Sequence, residues 1–324
     1  MNLLRAVRWV VPATCAVISL TACSWLGARV PDGATVGCVV ESPPDPPPPL
    51  NTPEAQAATS ADLSQPALRA VARMLVSTSE NSSLDWQAQY AFIAYNVEGN
   101  ATDNRGYTAG IIGFTSRTHD MLELVRRYTT SVPNNPLARY LPALAAVDGT
   151  ASTRGLGTSF EQAWRVAAQD PRFQLAQRAI TDQYYFYPGV GRAQLDGLAA
   201  LGQFIYYDAI VMHGPGDSPS AFDGIRAAAM RQAKTPTQGG DQVTYLAAFL
   251  DARLAAMRAE VAHSNTSRVD TQQRRFLDEG NINLTLPLTW TVNQDTYYLA
   301  EAGSKHCPSA WSDSTSAQAR TPPA

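Results

Sequence analysis

The chain has 324 residues, of which 45% are hydrophobic and 16% are charged. This is an ordinary globular composition, and the length suffices for one large core or for two lobes that share a long helix. The formal net charge of −3 argues against a nucleic-acid partner and permits a cationic one.

The N-terminus has the features of a secretory signal. Arg5 and Arg8 precede an apolar stretch that is too short for a comfortable membrane span. The small residues before Cys23 resemble a bacterial lipobox, in which Cys23 is lipidated and becomes the mature N-terminus. We therefore expect residues 1–23 to be removed or processed and the protein to be extracellular, anchored by lipid to the outer face of the cytoplasmic membrane. Ordinary cleavage near Ala22 is the alternative.

Composition divides the rest of the chain into three parts. Residues 24–61 contain the proline-rich run 42–49 and few large apolar residues, so they are predicted to be a disordered tether. Residues 301–324 are predicted to be a polar tail. The catalytic domain is then expected at 62–300.

The remaining thiols are Cys38 and Cys307, if Cys15 leaves with the signal and Cys23 is acylated. An oxidising compartment would allow these two to pair, joining the ends of the mature chain. Sequence alone does not establish that their Cα atoms come close enough for a disulfide.

Helical spacing of apolar residues dominates the predicted domain. It predicts a helix over Pro66–Ser79 with Ser64 as its cap, and a second helix capped by Thr118. Leu195–Met212 is apolar on nearly every face, so we expect it to be the buried centre of the domain. A further helix is predicted over Gln242–Ala262. Glycine with β-branched and aromatic residues in 104–114 predicts one short strand or hairpin. The expected class is mainly α (α+β).

Two carboxylates on different elements are candidates for catalysis. Glu80 follows the first helix, and Asp103 opens the glycine-rich strand region. An inverting glycosidase needs one protonated and one ionised carboxyl, roughly 6.5–9.5 Å apart, with a water between them. Spacing alone is weak evidence among 28 acidic residues. A solvated helix end and a turn-forming aspartate are the plain alternatives.

Longer motifs resemble the family 46 chitosanases, which are glycoside hydrolases. They extend over roughly residues 65–295 and are Ser79–Trp86, Arg105–Phe114, Asp120–Val125, Tyr206–Gly216, Thr235–Asp241 and Thr266–Asp270. The resemblance implies a two-lobed, lysozyme-like fold with a long buried central helix, a small β element and a substrate cleft between the lobes. It also implies cleavage of β-1,4 linkages within chitosan or glucosamine oligosaccharides by inversion. We expect a monomer that needs no metal or cofactor.

The resemblance assigns roles residue by residue. Glu80 matches the general acid, Asp103 the general base, and Thr108 the hydroxyl residue that helps to hold the attacking water. Substrate-binding roles are implied for Asp120, Arg105, Tyr107, His213 and Glu260. Asp120 would face the ammonium group of glucosamine, although an acidic residue in a first helical turn also stabilises the helix dipole. Arg105 could be an ion-pair partner and His213 a helix end.

Asp208 lies within the apolar central segment, where an unpaired charge would be costly. The resemblance names Arg253 and Arg268 as its partners in a buried network that orients the catalytic lobe, and a purely structural role is an equal alternative.

Two departures from the family pattern affect the expected site. The loop Glu98–Asp103 is longer than usual, which makes Glu98 the nearest substitute base. Ser264-Asn265 stands where family members often carry acidic residues, which predicts weaker or shifted binding of the cationic polymer, or greater tolerance of acetylated units.

Two other functions stay open: a lipid-anchored chitosan-binding protein without catalysis, and a muramidase-like cell-wall hydrolase. The acidic charge and Asp120 favour glucosamine over an anionic wall polymer. Neither metal-ligand histidine spacing nor a P-loop occurs in the sequence.

Overall fold

The computed structural model describes residues 30–39, 62–97, 105–259 and 265–307. The predicted signal with Cys23, the loop that carries Asp103, and Glu260 lie outside these ranges, and their assignments stay predictions.

Helices make up most of the described chain. The α-helices are α1 (Pro66–Asn81), α2 (Asp120–Ser131), α3 (Leu141–Val147), α4 (Gly157–Ala167), α5 (Pro171–Thr181), α6 (Tyr187–Leu195), α7 (Ala200–His213), α8 (Phe222–Met230), α9 (Gln242–Ala259) and α10 (Arg274–Asp278). Two π-helical turns interrupt this pattern. The first π-turn is Asp182–Phe186 and the second π-turn is Arg268–Gln273.

The strands form two small sheets. They are β1 (Thr35–Val39), β2 (Ile93–Tyr95), β3 (Tyr107–Ala109), β4 (Phe114–Thr115), β5 (Leu288–Val292) and β6 (Asp295–Glu301). The antiparallel sheet β2-β3-β4 contains the predicted strand region, with Thr108 opposite Thr115. The second sheet has the order β1-β6-β5, with β1 parallel to β6. The sequence predicted only one β element.

Two hydrophobic cores define two lobes. The first-lobe core is built from residues of 63–84 and 186–299, around the fully buried Phe204 of α7. The second-lobe core is built from residues of 86–180 and includes the buried Trp164. Met74 of α1 packs against both cores. The mainly helical α+β class and the two-lobed arrangement are therefore confirmed.

One continuous helical stretch crosses between the lobes. Ile180 of α5 belongs to the second-lobe core and Phe186 to the first-lobe core, so the first π-turn lies at the crossing. Helix α6 then packs closely on α7, because Gly189 has no side chain: a Cβ there would lie 2.7 Å from the Tyr207 Cα atom.

The central helix is shorter than predicted. The apolar segment from Leu195 is split between the end of α6 and the start of α7 at Ala200. Gly197, at φ 79°, takes a left-handed conformation that ends α6 after Leu195. Helix α7 itself is buried along most of its length, as its composition indicates.

Both predicted helix caps are wrong. The residue before α1 is Gln65, which makes no side-chain cap bond, and the residue before α2 is His119. The Thr118 hydroxyl instead donates to the Asp120 carboxylate at 2.8 Å. Helix α1 also runs to Asn81, so Glu80 lies in its last turn and not after its end. The Thr118 hydroxyl is occupied by this local side-chain bond, which competes with capping of the helix.

A disulfide joins the first and last described segments of the chain. A disulfide links Cys38 of β1 to Cys307, with their Cα atoms 5.7 Å apart. Residues 30–39 lie within the segment predicted to be a tether, and residues 301–307 within the predicted tail, yet both are part of this folded region. No helix within the described ranges is long and apolar enough to cross a membrane.

Candidate active site

Glu80 lies in the last turn of α1 and is the more accessible end of a charged network. Its Oε1 atom accepts a hydrogen bond from Arg268 Nη2 at 2.6 Å. The Glu80 side chain is 26% exposed, whereas Arg268 is 8% exposed. The glutamate can therefore meet a substrate while the arginine behind it stays covered.

Asp208 of α7 is the fully buried centre of the same network. Its Oδ1 atom is 2.9 Å from Arg268 Nη2, and its Oδ2 atom is 2.8 Å from Arg253 Nη1. Gln273 donates to Oδ2 at 2.7 Å. The structure thus brings together the three residues predicted as a network, and it connects them directly to Glu80 through Arg268.

Burial and charge act in opposite directions in this network. Burial alone would raise the pKa of Asp208, but the charges of Arg268 and Arg253 outweigh it and lower the pKa. Burial lowers the pKa of Arg253 to about 10, although Asp208 opposes that shift. Burial acts the same way on Arg268, but Asp208 and Glu80 outweigh it and raise its pKa. The buried aspartate is therefore ionised at neutral pH.

The second π-turn holds this network against α1. Arg268 begins the turn and Gln273 ends it. The Gln272 amide donates to the Leu75 carbonyl at 3.3 Å and to the Thr78 hydroxyl at 3.4 Å, both on α1. The position of the arginine relative to Glu80 is thereby set by contacts one turn earlier on the same helix.

Asp120 begins α2 and is almost fully buried. Its Oδ1 atom accepts the backbone N–H of Thr115 at 2.9 Å, the N–H of Met121 at 2.9 Å and the hydroxyl of Thr118 at 2.8 Å. Its Oδ2 atom accepts the Tyr185 hydroxyl at 3.2 Å. Burial raises the pKa of Asp120, and these hydrogen bonds oppose the shift.

Tyr185 bonds to Asp120 and also feels the charge of Glu80. Burial is the largest cause of its raised pKa; the charge of Asp120 comes next, and the charge of Glu80 contributes less. Asp120 of α2 thus bonds directly to Tyr185, and the charge of Glu80 on α1 also acts on it. Nothing in the spacing of the sequence pointed to Tyr185, which stands in a run of aromatic residues that looks like core.

Thr108 lies in the middle of β3. Its hydroxyl oxygen is buried and makes no hydrogen bond to the residues that the structure describes. Asp103, the predicted base, lies outside those residues, so the separation of the two predicted catalytic carboxyls stays a prediction.

The other predicted binding residues lie in different places. Tyr107 is 2% exposed and packs edge-on against Phe160 in the second-lobe core, so its position is that of a core residue and not of a cleft surface. His213 ends α7, and its Nε2 atom accepts from Arg253 Nε at 3.3 Å. Arg105 precedes β3, where its carbonyl accepts from Ser116. Glu260 lies outside the described residues.

A pocket of about 140 Å³ lies beside the Glu80–Arg268 ion pair. Its walls are Ser79, Met212, Asn265, Ser267, Arg268, Val292 and Asn293. Asn265, where the sequence lacks an expected acidic residue, donates to Asn293 at 2.7 Å. The described ranges hold no cluster of acidic, histidine and cysteine residues able to bind a metal ion.

A two-lobed helical fold with an accessible glutamate at the end of a first-lobe helix and a buried aspartate at the start of a second-lobe helix is the arrangement of a lysozyme-like glycoside hydrolase. The model of glycosyl hydrolase family 46 matches residues 74–288. The chain belongs to this family, and it is therefore an enzyme of the glycoside hydrolase class.

Relatives and solved structures agree. A chitosanase of a Streptomyces species is 57% identical over 239 residues, which are 74% of this chain and 84% of the relative. A Bacillus subtilis chitosanase is 34% identical over 237 residues, 69% of this chain and 81% of the relative. The crystal structure of chitosanase OU01 with substrate has a TM-score of 0.71 at 54% identity and covers 74% of this chain and 100% of its own. The family and fold predicted from the motifs are confirmed.

Proposed function

We propose that the protein is an endo-acting chitosanase that hydrolyses β-1,4 linkages between glucosamine units with inversion. The observation that carries the proposal is an accessible carboxylate, Glu80, in the first lobe together with a buried carboxylate, Asp120, in the second lobe; Asp120 accepts from Tyr185, and the charge of Glu80 also acts on that tyrosine. The similarity to chitosanases, one of them solved with its substrate bound, supports chitosan as the polymer.

Glu80 is the proposed general acid. It must carry a proton when the glycosidic bond breaks, and in the free protein it accepts a hydrogen bond from Arg268. Arg268 also binds Asp208, so its charge is shared between two carboxylates. We expect the contact to Glu80 to loosen when a cationic polymer occupies the cleft, because Asp208 can then retain the arginine.

Asp103 and Thr108 complete the proposed mechanism. Asp103 would remove a proton from the attacking water while that water attacks the anomeric carbon from the face opposite the leaving group. The buried Thr108 hydroxyl, which makes no hydrogen bond to the described residues, is suited to hold such a water. No metal or cofactor takes part in these steps.

Asp120 is the proposed determinant of the substrate's amino group. Three donors engage its Oδ1 atom, whereas Tyr185 is the donor to Oδ2. A carboxylate held in this way favours an ammonium group over a neutral acetamide, because only the ammonium balances its buried charge.

We also propose that the enzyme works outside the cell as a monomer, anchored by lipid at Cys23. The disulfide between Cys38 and Cys307 supports export, because such bonds persist in oxidising compartments. Export without a membrane-bound fraction would contradict the lipid anchor.

The deciding experiment follows the anomers released from fully deacetylated chitosan oligomers by proton NMR. The native protein should release the α-anomer first, and Glu80→Gln should release almost none. Glu279→Gln is the matched control, because Glu279 is half-exposed and pairs with Arg275 at the end of α10; it should keep native activity. An initial β-anomer would contradict inversion. Binding without cleavage by the native protein would favour the chitosan-binding alternative.

A further inference from the structure

The first π-turn contacts both lobes through consecutive side chains. Asp182 pairs with Arg69 at 2.6 Å and with Arg73 at 3.4 Å, both on α1. All three side chains are buried. The guanidinium of Arg69 also lies over the Phe186 ring, 4.1 Å from its centroid. This end of the turn is therefore fixed to the helix that carries Glu80.

The next three side chains contact α2 of the second lobe. Gln183 accepts from Arg127 at 2.6 Å, Tyr184 donates to Glu123 at 2.6 Å, and Tyr185 donates to Asp120 at 3.2 Å. The turn thus bonds to three positions along one helix, and the last of these is the carboxylate proposed to bind the substrate.

The π geometry explains how adjacent residues can do this. A π-turn carries one more residue than an α-helical turn and often occurs at functional sites. The added residue changes the angular positions of the side chains, so that Asp182 meets α1 while Tyr185 meets α2 and Phe186 enters the first-lobe core. A regular α-helix from Pro171 to Leu195 would place these side chains differently.

The bonds to Asp120 assign different tasks to its two oxygens. Oδ1 is fixed by two backbone N–H groups and the Thr118 hydroxyl, all close in sequence to Asp120. Oδ2 accepts from Tyr185, which comes from a distant part of the chain at the lobe crossing. The direction in which Oδ2 faces is therefore coupled to the first π-turn, and through Asp182 to α1.

We propose that Tyr185 is a positioning residue that orients Asp120 Oδ2 for the substrate's ammonium group, and that the first π-turn couples this orientation to the helix that carries Glu80. The inference rests on the proposed role of Asp120. Tyr185 acts on binding of the cationic sugar and leaves the bond-breaking step to other groups.

The test compares Tyr185→Phe with Tyr184→Phe, on fully deacetylated glucosamine hexamer. Both changes remove one hydroxyl that donates to an α2 carboxylate, so Tyr184→Phe controls for the loss of a lobe contact. We expect Tyr185→Phe to raise KM about tenfold with kcat within about twofold, as for loss of one hydrogen bond to a charged group. Tyr184→Phe should leave both within about twofold. Equal effects of the two changes, or a fall in kcat without a change in KM, would overturn the proposal.

Asp120→Asn separates failure of the inference from failure of the proposed function. Hexamer affinity is measured directly, by calorimetry, in the Glu80→Gln background, so that binding is read without turnover. If Asp120→Asn leaves Kd unchanged, the role of Asp120 itself is refuted. If Asp120→Asn weakens binding and Tyr185→Phe does not, only the inference is refuted. We expect the double change to bind like Asp120→Asn alone, because the tyrosine acts through that carboxylate; additive effects would refute this. Each variant should still unfold cooperatively on heating, as a folded protein does.

Discussion

Replacing Asp208 by asparagine should destabilise the fold severely, because it removes the anion at the centre of the buried network. Asp208 and Arg253 are both 0% exposed, and Arg268 is 8% exposed. Asparagine keeps the shape of the side chain but leaves two buried guanidinium groups without their shared carboxylate. Its amide would also face donors of Arg253 or Gln273, which now bond to Oδ2.

The size of the stability loss follows from two opposing terms, the attraction within the ion pairs and the cost of removing their charges from water. One ion pair near 4 Å gains about 4 kcal/mol at an effective dielectric constant of about 20, and desolvation cancels several kcal/mol of the total. Removing one partner of a buried pair typically costs about 3–5 kcal/mol, because the remaining charge is uncompensated. We expect a loss of that size in the free energy of unfolding, measured by urea titration at pH 7.

Asp251→Asn is the matched control. Asp251 pairs with Arg274 at 2.6 Å, and its side chain is 72% exposed. The same chemical change should there cost less than about 1 kcal/mol. If the two variants lost equal stability, the argument that burial makes the loss of this carboxylate costly would be refuted.

The cost at position 208 should also depend on pH. The folded-state pKa of Asp208 is lowered, so its contribution is complete above the unfolded-state pKa of about 4 and is lost as pH falls through the folded value. The difference in the free energy of unfolding between native protein and Asp208→Asn should therefore become smaller at acidic pH. A larger difference at acidic pH would contradict the lowered pKa of Asp208.

Three further predictions concern stability. Replacing Cys38 and Cys307 by serine should lower the free energy of unfolding by roughly 3–5 kcal/mol, since the closed loop is long, and a reductant should abolish the difference from native protein. Gly189→Ala should lower the stability of the protein, because the added Cβ would meet the α7 backbone. A Cβ at Gly191 meets nothing within 4 Å, so Gly191→Ala should be neutral or stabilising by up to about 1 kcal/mol. Equal melting temperatures for the two glycine variants would contradict the close helix packing. Asp170→Asn should lower the free energy of unfolding by about 1 kcal/mol or less at pH 7, because Asp170 caps α5 and the Arg172 side chain holds its pKa at about 2. The difference in melting temperature between native protein and variant should fade between pH 4 and 2.

Local periodicity predicted the helices that have one apolar face or that lie in the core. Helix α1 was found within two residues at its end, because Leu75 and its apolar neighbours repeat at helical spacing. The buried character of α7 followed from its composition. Long motifs, not periodicity, identified Glu80, since acidic residues at such spacing are common. Asp208 was noticed because it is a charged residue in an apolar segment, and the motifs supplied its partners.

Two kinds of feature were not predictable from the sequence. The π-turns, and with them the contact of Tyr185 to Asp120, depend on tertiary packing that accommodates one additional residue, which leaves no compositional signal. The second sheet pairs β1 with β6 from opposite ends of the chain. Such pairing depends on contacts far apart in sequence, and the proline-rich neighbourhood of β1 looked like a tether.

The pairing of β1 with the far end of the chain changes the distance over which a lipid on Cys23 would act. Residues 30–39 belong to the folded region and the proline-rich run follows them in sequence, so that run adds nothing to the span from a lipid on Cys23 to the domain. That span would be residues 24–29 alone, at most about 22 Å when fully extended. A lipid anchor would therefore keep the cleft within one protein diameter of the bilayer, so that polymer chains would be cut close to the cell surface.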